Sequence, residues 1–434
     1  MILIYSSPIS NRVKYTFNLV FNQILGVEIE WTSDLSFFKN SILPKISYHF
    51  QPIQNEIHFH ILPFLLENTI SPQNIIVKKW HNLPAFFYHN QLNAALPFDP
   101  FAMIFYLVSR YEEYFAKDLD QHDRFKATAS LAYQHDFLEL PLVNNWAIEI
   151  KKIIQKHYPD FFFPTKKFQF TPTYDIDYAW SYLHKGWKRT IGGYAKMLLK
   201  NPKLLPQRIK VQLKLARDPY FTYDLLKDWH QTYQLAPIYF FLVGDYGEFD
   251  KNTSIHNKPF QSLIQQIEAE NSIGLHPSYQ SNQHIHILKK ELKSLNAVAN
   301  NSIIKSRQHF LKLALPSTYQ NLIKVGIQTD YTMGYAENIG FRASIATPFY
   351  WFDLSENEIT TLQIFPFQIM DVTLKNYLKL SPELATHATK RIIDNTKLVD
   401  GHFISLWHNN SFSEQEGWEG WRAVYEKMLI NATS

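Results

Sequence analysis

The chain has 434 residues, of which 46% are hydrophobic and 19% charged, a balance typical of folded globular proteins and not of disordered chains. Its 43 basic and 39 acidic residues give a net charge of +4, which is too small to indicate a nucleic-acid-binding protein. Cysteine is absent, which excludes disulfides, thiolate nucleophiles and iron–sulfur clusters, so any metal must be bound by His, Asp or Glu.

Residues 1–160 are predicted to form a smaller N-terminal α/β domain. Short apolar strands and helical patterns mix in this part, which closes with a helix-like stretch over residues 145–157. Tyr158, Pro159 and Pro164 then break the pattern, and we place a domain boundary there. Polar residues occupy the region where a signal peptide would have its apolar centre, and every apolar run is shorter than the roughly 18 residues of a membrane span, so we expect a cytoplasmic protein.

Beyond residue 166, strand-like and helix-like segments alternate to the end of the chain. Seven strands are predicted, over 168–174, 237–243, 272–275, 303–306, 324–328, 361–367 and 403–407. This alternation predicts a parallel α/β sheet, and closing it into a barrel would remove the exposed edges. An open doubly wound sheet is the alternative, but the chain lacks the glycine-rich phosphate-binding turns that would favour it.

Ionisable side chains follow most of the predicted strands. They are Asp175 and Asp177 after the first strand, His276 after the third, Arg307 and His309 after the fourth, Asp330 after the fifth and His408 after the last. The carboxyl ends of barrel strands converge on one mouth, so these groups are expected to meet. Carboxylates and imidazoles bind divalent ions such as zinc, and the remaining groups can transfer protons, which together indicates metal-assisted hydrolysis.

These same residues resemble the polysaccharide deacetylases, carbohydrate esterase family 4, also called the NodB homology domain. Residues 173–177 (TYDID) resemble the first motif of that family, residues 276–280 (HPSYQ) the second, and residues 406–408 (LWH) the last. The resemblance covers residues 166–434 and implies a distorted (β/α)7 barrel. It also implies that the protein removes an acetyl group from a saccharide or glycolipid by hydrolysis. A divalent metal would assist this reaction, and zinc is the first candidate.

The resemblance assigns roles to individual positions of the chain. Asp175 would be the general base and His408 the general acid, while Arg307 would orient the base. Asp177 and His276 would be metal ligands. Six further residues near the motifs are expected to contact substrate, namely Tyr174, Asp245, Tyr279, Asp330, Arg342 and Trp407.

One position departs from the family pattern. Where the family has its second histidine ligand, four residues after His276, this chain has Gln280, whose neutral amide binds zinc poorly. His309 is the first candidate to replace that ligand, His284 or His286 is the fallback, and a site without a third ligand is the remaining possibility. A catalytically silent glycan-binding module, or an amidohydrolase acting on a small non-sugar amide, therefore stays an alternative.

A basic insertion at residues 178–220 follows the first motif directly. It holds ten Lys and Arg residues against the single acid Asp218. It is expected to overhang the mouth. A solvated amphipathic helix pair is the first interpretation of this segment, and attraction of an anionic glycan or contact with an anionic membrane surface are the alternatives. The residues before the barrel resemble an uncharacterised domain that precedes such barrels in some bacterial proteins, and the sequence predicts no oligomeric state.

Overall fold

The computed structural model describes all residues from 1 to 434. The strands are β1 Ile2–Tyr5, β2 Ile29–Thr32, β3 Lys45–His49, β4 Ile57–His60, β5 Lys78–Trp80, β6 Leu83–Ala85, β7 Gln169–Ile176, β8 Ile238–Leu242, β9 Ser272–His276, β10 Lys305–Ser306, β11 Thr329–Asp330, β12 Phe349–Asp353, β13 Glu358–Ile364, β14 Ile369–Met370 and β15 His402–His408. The helices are α1 Asn11–Phe17, α2 Leu35–Asn40, α3 Pro100–Val108, α4 Leu131–Gln134, α5 Leu142–His157, α6 Gly186–Lys200, α7 Leu205–Gln212, α8 Tyr223–Thr232, α9 Lys258–Glu268, α10 Ile285–Asn296, α11 Ser317–Lys324, α12 Pro382–Lys397 and α13 Trp421–Thr433.

The N-terminal part is built on a four-stranded parallel sheet in the order β2-β1-β3-β4. Its central helix, α3, is buried at all nine positions, as expected for a helix that is apolar on every side. Asp99 starts this helix, because its carboxylate accepts hydrogen bonds from the backbone N–H groups of Phe101 and Ala102, while Pro100 presets the first turn.

The C-terminal part is built on one nine-stranded sheet in the order β12-β13-β11-β10-β9-β8-β7-β15-β14. Every pair of neighbours is parallel except β12 with β13. The prediction of a mixed α/β fold with a parallel sheet is confirmed. Because the strands from β7 to β11 are parallel, their carboxyl ends all lie at one edge of the sheet.

Two details of the predicted strands are wrong. Residues 324–328 form the end of α11 and a turn, and the strand comes after them at β11. The short strands β12 and β14 were not predicted, since β14 has only two residues and β12 pairs as an antiparallel edge strand. A strand of two residues is too short to show the alternation of apolar and polar side chains that identifies a strand in a sequence, so β14 could not be predicted.

The two free edges of this sheet are β12 and β14. The remaining neighbours follow the order of a barrel, but no hydrogen-bonded strand pair joins these two strands. The strand pairing therefore confirms the parallel sheet, while closure into a barrel of seven strands stays a prediction.

The two parts of the chain share one apolar core, which extends from Ile2 to Ala432. Buried polar contacts cross between them as well. The hydroxyl of Tyr15 donates to the backbone oxygen of Tyr350 at 2.9 Å, and Arg342 forms an ion pair with Glu113 at 2.6 Å. The N-terminal part is thus packed against the large sheet over a wide area.

Residues 178–220, which we call the basic arm, contain α6 and α7 and connect β7 with α8. No residue of α6 is buried. No helix of the chain combines the length and the apolar character needed to cross a lipid bilayer.

Candidate metal centre

Acidic and imidazole side chains from several strand ends meet in one pocket at the carboxyl edge of the large sheet. The cavity has a volume of about 180 Å³. It is lined by Arg124, Asp175, Asp177, His276, Gln308, His309, Phe310, Leu311, Met370, Val372, Tyr377 and His408. All five residues that we expected to bind the metal or to transfer protons therefore line one cavity, and Arg307, expected to orient the base, lies directly behind it.

Asp177, His276 and His309 form a group whose ligand atoms all lie within 4.8 Å of one another. Oδ1 of Asp177 is 3.3 Å from Nε2 of His276, and Oδ2 of Asp177 is 3.6 Å from Nε2 of His309. Oδ1 is buried and has no hydrogen-bond partner. A buried carboxylate oxygen without a partner is rare in folded proteins, and here it faces two imidazole nitrogens, which is the environment of a cation site.

The second nitrogen of each imidazole is occupied, which leaves Nε2 directed at the pocket. Nδ1 of His276 lies 2.5 Å from the backbone oxygen of Arg307 and must carry the proton that it donates. Nδ1 of His309 lies 2.8 Å from Oδ1 of the buried Asp250. Such contacts fix the ring orientation and the tautomer that presents a lone pair to a metal.

The pKa values in this group show the effect of concentrated charge. Burial alone would raise the pKa of Asp177, but the neighbouring imidazoles, His309 above all, hold it well below its usual range. Burial would lower the pKa of His309, but Asp177 and Asp250 raise it to about 9. Without a metal the carboxylates thus attract protons onto His309, and a divalent ion would compete for the same position.

Asp175 lies beside the metal group and is held by Arg307. Nη1 of Arg307 donates to Oδ1 of Asp175 at 3.0 Å and to Oγ1 of Thr173 at 2.7 Å, and its Nε donates to the backbone oxygen of Tyr331 at 2.9 Å. Both partners of the ion pair are buried. Oδ2 of Asp175 remains on the pocket side, 3.6 Å from Nε2 of His276.

His408 approaches the group from β15. Its Nδ1 is 2.9 Å from Oδ1 of the fully buried Asp371, and its Nε2 is 3.8 Å from Oδ2 of Asp177. Burial would lower the pKa of His408, but Asp371 and then Asp177 raise it to about 10. Asp371 therefore favours the protonated ring and leaves Nε2 directed at the pocket.

Gln280 and the two loop histidines do not belong to the group. Gln280 is exposed at the start of a short 3-10 helix, and His284 and His286 are exposed as well. The chain leaves the pocket after His276, because the backbone N–H of Ser278 donates to Glu291 and that of Tyr279 to Asp250. Of the three possibilities left open by the sequence, the geometry matches the one with His309.

Tyr174 and Trp407 do not line the pocket, contrary to expectation. Both are fully buried on the helix side of the sheet, where the hydroxyl of Tyr174 bonds to Nε2 of His230 at 2.7 Å and Trp407 stacks on Phe412. Side chains alternate along a strand, so the neighbours of Asp175 and His408 must point away from the pocket.

Asp330 and Arg342 also lie away from the pocket. Asp330 is fully buried and accepts hydrogen bonds from Ser306 and Thr332, and burial raises its pKa to about 6. Arg342 is bound to both carboxylate oxygens of Glu113. These contacts give both residues structural roles in place of the expected contact with substrate.

Asp245 and Tyr279 lie near the pocket but outside its lining. Asp245 is exposed in an adjoining cleft, where its carboxylate pairs with Lys290 at 2.6 Å. Tyr279 stacks on Phe249 with ring centroids 4.3 Å apart.

Sequence reasoning missed three residues that shape the site, Asp250, Asp371 and Arg124. Asp371 follows the two-residue strand β14, and Asp250 lies in a long loop without a pattern. Arg124 comes from the N-terminal part, which was treated as a separate unit. Only Asp371 had a signal in the sequence, because it directly follows the apolar pair Ile369-Met370, as Asp175 follows an apolar strand.

Comparisons with known proteins add little to this geometry. Residues 2–159 match the family described as a family of unknown function, DUF7033, and no curated protein matches the sequence. A solved structure from Mycobacterium smegmatis, described provisionally as a polysaccharide deacetylase, aligns with a TM-score of 0.40 and 13% identity over 63% of this chain and 87% of that one. The 4-alpha-glucanotransferase of Thermococcus litoralis aligns with a TM-score of 0.35 and 9% identity over 62% of this chain and 37% of that one. No function follows from likeness at this level.

Proposed function

We propose that this protein is a metal-dependent deacetylase of the polysaccharide deacetylase type, which removes an acetyl group from a saccharide. The observation that carries the proposal is the group of Asp177, His276 and His309, flanked by an ion-paired carboxylate on one side and by the imidazole of His408, bound to Asp371, on the other. The motif resemblance of residues 173–177, 276–280 and 406–408 supports the same class of reaction.

The residues present fit a divalent ion, and we propose zinc. Two imidazole nitrogens and one carboxylate oxygen form a common ligand set of catalytic zinc, which leaves a position for water or substrate. The unpartnered Oδ1 of Asp177 supports this assignment. When bound, the ion would supply Lewis acidity, which polarises an acyl carbonyl and makes water more acidic.

Asp175 is proposed as the general base. Its Oδ1 is engaged by Arg307, so Oδ2 is the oxygen available to take a proton from the attacking water. The Arg307 guanidinium stabilises the ionised carboxylate and keeps it in place. The water oxygen then forms a bond with the acyl carbon.

His408 is proposed as the general acid. Its Nε2–H faces the pocket while Asp371 holds Nδ1, so it can protonate the departing amine or hydroxyl as the bond to the acyl carbon breaks. The proton taken up by Asp175 and the one given by His408 are exchanged with solvent after acetate leaves, which returns both groups to their starting forms.

The cavity is proportioned for a small acyl group. Its side walls include the apolar Leu311, Met370 and Val372, against which the methyl group of an acetyl substituent would pack. A cavity of about 180 Å³ admits the acetyl group and the water but not a whole oligosaccharide. The sugar would therefore lie across the rim.

Acetate release tests this function. Purified protein loaded with zinc would be incubated with acetylated oligosaccharides, acetylated lipid-linked sugars and small acetamides, with Asp175→Asn as the inactive control. Release from a saccharide supports the proposal. Release from small amides alone would favour an amidohydrolase, and binding of oligosaccharides without release would favour a silent glycan-binding module.

A further inference from the structure

We propose that the basic arm, residues 178–220, docks this protein on an anionic membrane surface. The proposal rests on the orientation and charge of the arm and is independent of the hydrolase function. It goes beyond the sequence because the structure decides which face of α6 is turned outward.

The apolar face of α6 is turned to solvent. Trp187, Ile191 and Leu198 recur at helical spacing and lie on one face, where they are 71%, 61% and 58% exposed. Leu199, beside them, is 87% exposed. A surface helix normally buries this face against its own protein, so an outward apolar face is expected to have another partner.

Arg189, on the opposite side of the same helix, contacts the protein. Arg189 donates to the backbone oxygens of Asn252 and Lys251 at 2.8 and 2.7 Å, and its guanidinium lies 4.3 Å from the ring centre of Tyr246. The side of α6 that carries Arg189 is therefore fixed against the 244–256 loop. The orientation of the apolar face follows from these contacts.

Positive charge is concentrated on the arm. It holds ten of the 43 basic residues and one of the 39 acidic ones, so the rest of the chain, with 33 basic against 38 acidic residues, is negatively charged. Exposed Leu213 and Leu215 stand among Lys210, Lys214 and Arg217 at its other end. Apolar side chains mixed with cations are typical of segments that lie in the headgroup region of anionic bilayers.

The charge also argues against a second copy of this chain as the partner. Pairing two arms through their apolar faces would bring two clusters of ten basic residues together, which is unfavourable. An anionic bilayer offers both negative charge and an apolar layer, so it matches both properties of the arm.

Vesicle flotation tests the proposal. The full chain would be mixed with vesicles of phosphatidylcholine alone or of phosphatidylcholine with phosphatidylglycerol, at low and high salt. We expect binding to the anionic vesicles only, weakened by salt because the surface charge is screened. The double variant Trp187→Ser, Leu198→Ser should lose about a hundredfold in partitioning, since each of the two exposed apolar side chains contributes roughly tenfold when it is buried in the bilayer.

Two exposed apolar residues outside the arm provide a matched control. Ile42 and Leu92 are 100% and 96% exposed, and the variant Ile42→Ser, Leu92→Ser should bind anionic vesicles as the wild type does. Absence of binding to anionic vesicles, equal binding to neutral vesicles, or an unchanged Trp187→Ser, Leu198→Ser variant would overturn the proposal. If the wild type forms dimers and does not bind vesicles, and the Trp187→Ser, Leu198→Ser variant is monomeric, the arm binds a second copy of the chain instead.

A separate set of contacts points to a role for the N-terminal part, and it rests on the proposed metal site. We infer that the loop of residues 118–126 positions His309. Nη1 of Arg124 donates to the backbone oxygen of Phe310 at 2.7 Å, and Lys312 pairs with Asp123 at 3.2 Å. The loop therefore contacts the chain directly after His309 at two points.

The segment that it contacts has an unfavourable backbone. Phe310 and Leu311 have φ values of 58° and 53°, in the left-handed region that bulky residues rarely adopt. Such conformations persist only when surrounding contacts enforce them. The hydrogen bond from Arg124 to Phe310 is one of those contacts, and it fixes the turn that carries His309.

Arg124 is itself held in place by its own loop. Its guanidinium pairs with Asp120 at 2.6 Å, and both the side chain and the backbone N–H of Arg124 bond to that carboxylate. Because Asp120 balances the charge, Arg124 is assigned here as a positioning residue and not as an anion receptor.

Zinc affinity and hydrogen exchange test this second inference. Arg124→Ala should raise the Kd for zinc by about tenfold, as loss of an outer contact to a ligand does, and should speed amide exchange at residues 308–312. Arg124→Lys, which keeps one donor, should recover part of the affinity. Lys126→Ala is the control, because Lys126 belongs to the same loop but pairs only with exposed Asp118.

The outcomes separate this inference from the proposed function. Unchanged zinc affinity and unchanged exchange in Arg124→Ala would overturn the positioning role. A wild-type protein that binds no zinc would contradict the metal site, while exchange at residues 308–312 would still decide whether Arg124 holds the segment.

Discussion

Asp250 and His309 form a buried pair in which Oδ1 of the carboxylate lies 2.8 Å from Nδ1 of the ring. The same carboxylate oxygen accepts the backbone N–H of Tyr279 at 3.0 Å. Asp250 thereby joins the chain after His276 to the ring of His309. The pair leaves Nε2 of His309 as the nitrogen that faces Asp177.

Asp250→Ala is expected to weaken zinc binding by about ten- to a hundredfold, because the ring loses the acceptor that fixes its orientation and tautomer. Isothermal titration calorimetry with zinc measures the change. Asp245→Ala is the matched control, since Asp245 lies in the same loop but is exposed and pairs with Lys290. Equal affinity of the Asp250→Ala variant and the control would show that the pair does not support a ligand.

His309→Gln should abolish stoichiometric zinc binding, since an amide oxygen is a poor ligand for this ion. His284→Gln changes an exposed loop histidine in the same way and should leave binding intact. Metal content after dialysis distinguishes the two variants. The reverse pattern would place the third ligand in the loop.

The sequence could indicate these ligands because they follow strands whose carboxyl ends share one edge. It could not decide between His309 and the loop histidines, since that depends on where the chain turns after His276. The hydrogen-bond partners of His309 and His408 could not be predicted. Asp250 lies in a loop without a sequence pattern, and Asp371 follows a strand of only two residues. The expected substrate contacts of Tyr174 and Trp407 ignored the alternation of side chains along a strand.

Asp175→Asn should reduce deacetylation by at least about 10²-fold while zinc binding persists, because the amide cannot accept the proton of water. Asp177→Ala should lose both zinc and activity. Acetate release and zinc titration on the same preparations measure the two effects. Full activity in the Asp175→Asn variant would remove Asp175 from its assigned role.

Glu113→Gln should destabilise the protein by about 3–5 kcal/mol, because it leaves Arg342 and Arg110 buried with less compensating charge. Urea unfolding followed by circular dichroism measures the free energy of unfolding. Glu139→Gln breaks an exposed pair with Arg391 and should change it by less than about 1 kcal/mol. Similar values for the two variants would mean that the buried pair contributes no more to stability than the exposed pair does.

The parallel sheet was predictable from the alternation of strands and helices, and its chain-order neighbours follow from short connections. Closure into a barrel could not be predicted, because it depends on how the edge strands β12 and β14 lie, and β14 is only two residues long. The apolar core that the two parts share could not be predicted either. An amphipathic pattern shows that a helix has a buried face, but it does not show which sheet that face packs against.

The most direct test is the location of bound zinc by anomalous scattering from crystals of the zinc-loaded protein, with data collected on both sides of the absorption edge. The account predicts one peak per chain, bounded by Asp177, His276 and His309. A crystal without such a peak, or with the ion at His284 and His286 instead, would contradict it.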